Sequence, residues 1–277
     1  MKNSKYILVA HDFSEASKNA LKVAAQIADT SQSRLFIFNV LPITVMSDVE
    51  YAYTYSPDSD IQRNNTLMRR TISFLKRDHP QLNMTFSVTY AYVIPAILEA
   101  IKSYNPWLTI LGVKKHSGLD RVIFGDVCTE LVDKVDVPFL VIPMNVKTFE
   151  TKHVVYAWDG LNTHTDHLHL LKKLMTKEKQ LVSAINITHY DDKVQKNAIE
   201  YKKILAKYFY NHKTEVMQIQ GLDKPQTISN YLLKIKPDLL VVVANHYGFF
   251  QKLFHKSFSK QALRFSKSPV LVIKKNN

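Results

Sequence analysis

Val137-Pro-Phe-Leu-Val-Ile142 and Ser268-Pro-Val-Leu-Val-Ile273 are one short phrase written twice. Each is a proline followed by four apolar residues, two of them β-branched in the first phrase and three in the second. Such a run reads as a strand buried on both faces, with the proline at its start, where no ladder N–H is needed. The two prolines are 131 residues apart in a chain of 277, which prompts the question of whether everything between them repeats as well.

Working outward, short apolar runs alternate with amphipathic segments. Lys5–Ala10, Leu35–Val40, Met84–Tyr90, Leu108–Gly112 and Val137–Ile142 read as strands. Between them lie helices from Ser14, a capping residue, to about Asp29, from about Ile61 to Lys76, from Pro95 to about Tyr104, and after Gly125. The same order follows in the second half. Its strands are His153–Ala157, Leu181–Ile187, Thr214–Ile219, Leu239–Val243 and Val270–Ile273. Its helices are Thr163–Met175, Lys193–Tyr210, Thr227–Lys234 and Phe258–Phe265. Strands separated by helices imply parallel pairing with right-handed crossovers. The fold class is therefore α/β, as two tandem five-stranded parallel-sheet domains, residues 1–146 and 147–277. Asp12 and Asp159 are 147 apart, against 131 for the closing prolines. The difference falls in the loop 41–60, long in the first domain and short in the second.

Composition narrows the function. Apolar residues make up 46 %, enough for a sizeable core. The single cysteine, Cys128, excludes an internal disulfide framework. The N-terminal apolar run is too short for a signal-peptide core, and no stretch reaches the ~20 apolar residues of a membrane span. The expectation is a cytoplasmic protein without a membrane partner. The net charge of +13 is uneven: residues 1–146 hold 15 Lys+Arg and 14 Asp+Glu, residues 147–277 hold 22 and 10. Arg264 is the only arginine of the second half, so its surplus reads as a lysine-rich solvated surface rather than a nucleic-acid footprint.

Neither a Walker A sequence nor Gly-x-Gly-x-x-Gly occurs. Three of the six glycines, Gly112, Gly118 and Gly125, fall between the fourth strand and the next helix of the first domain. That is the carboxyl end of a parallel sheet, where open α/β proteins bind ligands. Glycine there lets backbone N–H groups approach phosphate oxygens, and the helix start favours negative charge. The competing reading is a loop that needs positive φ for local reasons.

The stretch Ile110-Leu-Gly-Val-Lys-Lys-His-Ser-Gly-Leu-Asp-Arg-Val-Ile-Phe-Gly-Asp-Val127 resembles the signature of universal stress proteins. Ile7-Leu-Val-Ala-His-Asp-Phe-Ser-Glu-Ala-Ser-Lys-Asn-Ala-Leu21 is similar to their N-terminal signature. Val154-Val-Tyr-Ala-Trp-Asp-Gly160 and Pro237-Asp-Leu-Leu-Val-Val-Val243 extend the likeness to the second domain. The resemblance implies a Rossmann-like sandwich of the adenine nucleotide alpha hydrolase type and a stress-response role. It places Asp12 at the adenosine end of a pocket, the main chain of Val40 facing the adenine, and Gly112 and Gly125 beside the phosphates. It also implies that the fifth strands of the two domains pair with each other, giving a pseudo-two-fold molecule that can be a monomer.

Two departures bear on the ligand. Lys115 stands where the second glycine is expected and Asp126 where a serine or threonine is expected. A side chain at a left-handed position costs roughly 1–2 kcal/mol. A carboxylate beside a phosphate costs up to about 4 kcal/mol at an effective dielectric of 20, partly offset by Lys114, Lys115 and Arg121. Asp126 therefore weighs more, and it favours ATP less than AMP or another small ligand. Magnesium enters only with ATP. In the second domain Val243 or, with a one-residue shift, Ala244 replaces Gly112, and the glycine pattern is lost.

Other candidates are bland. His164, His167 and His169 lack zinc spacing and read as an exposed first turn. Cys128 reads as a small core residue. Tyr51, Tyr53 and Tyr55 alternate in the long loop, as a lid, a partner ridge or simple packing. No residue stands out as a catalytic group, so at most slow ATP hydrolysis is expected. The alternative function is a ligand-independent interaction module.

Overall fold

The computed structural model describes residues 5–43, 57–114, 127, 130–131, 134–157, 165–175, 177, 179–188, 192–221, 224–244 and 268–274. Ten strands form one sheet: β1 (Tyr6–Ala10), β2 (Arg34–Pro42), β3 (Met84–Ala91), β4 (Leu108–Val113), β5 (Phe139–Pro143), β6 (His153–Ala157), β7 (Leu181–Thr188), β8 (Lys213–Gln220), β9 (Leu239–Ala244) and β10 (Val270–Lys274). Their spatial order is β3-β2-β1-β4-β5-β10-β9-β6-β7-β8. Each half is a parallel five-stranded sheet, and the second has the first's order in mirror sequence. The two closing phrases meet at the centre. There β5 and β10 run antiparallel, with Leu140 opposite Leu271 and Val141 opposite Val270. The expected pairing of the last strands is thus the seam of the molecule.

Helices α1 (Glu15–Thr30), α2 (Pro57–Asp78), α4 (Asp166–Leu174) and α5 (Asp192–Tyr208) follow the first and second strands of the two halves. Their apolar faces, through Ala20, Ala24, Met68, Leu171 and Tyr201, share one core with Ile7, Val9, Leu140 and Leu271. Helices α3 (Val93–Tyr104) and α6 (Lys224–Ile235) bury Ile97, Ala100, Ile228 and Leu232 on the opposite face, against Leu8, Phe36, Val155 and Val272. A sheet covered on both sides needs strands apolar on both faces, which is why β5 is buried at every position.

Local signals explain most boundaries. Ser14 caps α1 by accepting the Ser17 N–H at 3.3 Å. Helix α2 begins four residues earlier than its periodicity suggests, because Pro57 serves as a first helical residue and Asp58 and Asp60 follow it in the first turn. Helix α3 likewise starts at Val93, ahead of Pro95, and closes on Asn105 in the left-handed region, φ 43°.

The repeat extends to unusual backbone. Left-handed residues occur at Gln32 and Lys179, 147 apart, and at Asn105 and Lys236, 131 apart. These are the two offsets read from Asp12/Asp159 and Pro138/Pro269. The halves also touch away from the seam. The Lys173 ammonium on α4 lies 3.6 Å from the ring centre of Trp107, whose indole N–H donates to Ser33 Oγ at 3.0 Å. Residues 144–149 of the connection are fastened to α1. Asn19 Nδ2 donates to the Met144 carbonyl, and Gln26 exchanges hydrogen bonds with both main-chain groups of Phe149.

Candidate ligand cleft

Strand β1 is flanked by β2 on one side and β4 on the other, with Val9 opposite both Ile37 and Ile110. Successive crossovers leave β1 and β4 in opposite directions, which opens a crevice beyond their carboxyl ends. Asp12 and Gly112–Lys114 border it.

The turn from β1 into α1 is tightly organised. Phe13 is left-handed, φ 62°, an uncommon state for a bulky residue that costs on the order of 1 kcal/mol. This bend lets one Asp12 carboxylate oxygen accept the Ser14 N–H at 3.0 Å while the Asp12 N–H donates to Ser17 Oγ at 3.2 Å. Burial alone would raise the Asp12 carboxyl. Hydrogen bonds from Ser14 and Ser17, with the Lys114 charge, outweigh it and hold the group below its ordinary value. Asp12 is therefore an ionised, solvent-facing acceptor at the start of a helix, suited to hydroxyl or amino donors on a ligand.

Gly112 sits inside β4, opposite Ile142. A Cβ there would lie 2.9 Å from Ser17 N and closer still to the carbonyl of Ala16. The missing side chain lets the first turn of α1 rest on the strand. Positive φ, one reading of this glycine, does not apply, since Gly112 is not among the left-handed positions. Register also settles its counterpart. Gly112 faces Ile142 on β5 as Val243 faces Ile273 on β10, so Val243, not Ala244, takes the place of the glycine.

Val40 lies near the end of β2, opposite Thr89 of β3. Its neighbour Asn39 is buried and donates to the His11 carbonyl at 2.7 Å, while accepting from Asn64 Nδ2 of α2 at 2.9 Å. This relay clamps the end of β1 to β2 and α2. Asn186 holds the same register position in the second half and is also buried.

One residue escaped the sequence reading. His11, next to Asp12, is 2 % exposed, and neither ring nitrogen makes a hydrogen bond of good geometry among the described residues, the Ser17 main chain being its one weak polar neighbour. Its ring packs edge-on against Phe13, centroids 4.8 Å apart. Burial pushes its pKa below 6.5, against smaller upward effects from Ser17 and Asp12. As pH falls below the unfolded value near 6.5, the unfolded chain gains a proton that the folded chain refuses, so stability declines on acidification. His11→Leu should therefore raise stability by about 1 kcal/mol at pH 7. The gain should be larger at pH 5.5, read from urea titrations at both values. A variant less stable than wild type at both would show that the imidazole has a partner.

Of the remaining candidates, Lys115, Gly125, Asp126, Arg121, Cys128, His164, Tyr51, Tyr53 and Tyr55 lie outside the described residues, as does the segment 258–265. His169 is exposed and meets the Tyr208 hydroxyl at 3.3 Å. No cluster of metal-ligating side chains occurs among the described residues, and none of their helices is long and apolar enough to cross a membrane.

The strand order defines an open α/β protein whose first half has a topological switch point between β1 and β4. Residues 3–143 match the model of the universal stress protein family, and the chain belongs to that family. A universal stress protein from Archaeoglobus fulgidus DSM 4304 has the same fold, with a TM-score of 0.75 at 16 % identity, covering 99 % of this chain and 100 % of that one. A functionally unknown protein from Pseudomonas aeruginosa PAO1 follows at a TM-score of 0.56 and 13 % identity, covering 98 % of this chain and 93 % of that one. No curated protein matches the chain in sequence.

Proposed function

We propose that this universal stress protein acts by binding a small ligand, an adenine nucleotide, in the first-half crevice, with Asp12 engaging the nucleoside. The observation that carries the reading is the ionised Asp12 carboxylate, fixed by Ser14 and Ser17 at the switch point. A carboxylate with acceptor capacity facing solvent fits ribose hydroxyls or an amino group. Gly112 fits less directly at the phosphate end, because its lack of a side chain is taken up by the packing of α1. A nucleotide with few phosphates therefore suits the crevice better than ATP, and the second half, with Val243, serves as its structural partner.

Heating the purified protein and identifying released small molecules tests this reading, together with calorimetric titration of AMP, ADP and ATP. AMP should bind most tightly, and Asp12→Ala should weaken it about tenfold or more, the loss of a charge-assisted hydrogen bond. No released nucleotide and no heat with any of the three would remove the proposal. The alternative, a ligand-independent interaction module, draws on the loss of the glycine at Val243 and the basic second half. A salt-sensitive protein partner indifferent to nucleotide would favour it.

A further inference from the structure

A second concavity lies away from the crevice, on the other flank of the first half. It runs along α3 over the open face of β2 and β3, has a volume of about 430 Å³, and shares no residue with Asp12 or Gly112. That size is within the range of small-molecule sites. Its floor is aromatic. Phe36 and Phe38 stack at 5.8 Å, and Phe36 stacks on Tyr104 at 3.9 Å. Tyr92, at the start of α3, is 58 % exposed beside it.

The repeat shows that this space is specific to the first half. Helices α3 and α6 have the same length and correspond at an offset of 131, which places Tyr231 where α3 has Ala100. Strand register places Met217 where β3 has Ser87, since Ser87 faces Phe38 as Met217 faces Ile185. In the second half these two larger side chains meet, the Tyr231 hydroxyl lying 3.1 Å from Met217 Sδ. Alanine and serine leave the corresponding volume open in the first half.

Charge identifies the occupant. Glu99 is the one charged residue lining the groove; it is exposed and makes no ion pair among the described residues. A lone carboxylate beside the exposed rings of Tyr92 and Tyr104 is complementary to a cation with a flat apolar body. We propose that the α3–β3 groove is a binding site for a small aromatic organic cation, held by the exposed rings of Tyr92 and Tyr104 and by the Glu99 carboxylate.

Calorimetric titration of the full chain with benzyltrimethylammonium, and with benzenesulfonate as the anionic counterpart, tests the assignment. The cation should bind about tenfold or more tightly than the anion. Glu99→Gln, a surface change, should remove that preference. Ala100→Tyr, which imports the filling residue of the second half, should abolish binding of the cation. Ser87→Met closes the same space from the strand and serves if Ala100→Tyr fails to fold, as judged by circular dichroism. Absence of binding to wild type, equal affinity for cation and anion, or undiminished binding in a folded, groove-filled variant would each overturn the proposal.

Discussion

Gly112→Val is expected to lower stability by about 3 kcal/mol, a fall of roughly 6–12 °C in melting temperature. The new Cβ would sit against the backbone of Ala16 and Ser17, atoms that cannot swing aside as a flexible side chain would. Relief requires the first turn of α1 to lift from β4, taking with it Ser14, Ser17 and the hydrogen bonds that position Asp12. Ligand affinity should therefore fall together with stability. The reciprocal change, Val243→Gly, meets no such obstacle. It removes one partly buried side chain from β9 and adds backbone freedom, a loss of about 1–2 kcal/mol. Thermal melts of the two variants side by side give the decisive comparison. Equal damage would mean that α1 is not seated on Gly112.

Leu271→Asp should be more severe, at about 5 kcal/mol near neutral pH. Leu271 is fully buried on β10 and faces Leu140, also fully buried, across the seam. A carboxylate there has no hydrogen-bonding partner in the apolar ladder of either strand. Burial would raise its pKa, so the folded state would keep the proton that the unfolded state releases as pH rises. The defect should consequently be smaller at pH 5 than at pH 8. Urea titrations at both values, with limited proteolysis of the connection at 144–152, would follow it. Early cleavage there would show the halves parting before either unfolds. An unchanged midpoint would contradict the described seam.

The strands were legible because their apolar runs are short, β-branched and punctuated by Pro138, Pro269 and the Ser14 cap. Helix starts were less so. Pro57 read as the end of a loop, although a proline is well suited to a first helical turn. The site was legible only in part, for physical reasons that differ by residue. Asp12 announces itself by sitting between a strand and a capped helix. His11 does not, since a polar residue closing an apolar run ordinarily reads as the step into solvent; only the packing of Phe13 shows it buried. The role of Gly112 depends on how closely another element approaches, which a glycine in isolation does not reveal. The α3–β3 groove was invisible because it is a difference between paired positions, Ala100 against Tyr231 and Ser87 against Met217. That difference has meaning only once strand register fixes which residues correspond.

The antiparallel seam between β5 and β10 lies within a single covalent chain. Two separate subunits joined this way would come apart on dilution, with a midpoint set by their dissociation constant. Tethering gives each half a fixed local supply of the other, in the millimolar range for a short connection, whatever the abundance of the protein in the cell. The asymmetry follows from the same tether. In a homodimer every substitution appears twice, once on each side of the axis. In this chain Gly112 can be kept while Val243 replaces its twin, and Tyr231 can fill one flank while Ala100 leaves the other open. The two halves are free to specialise because neither can exchange its partner.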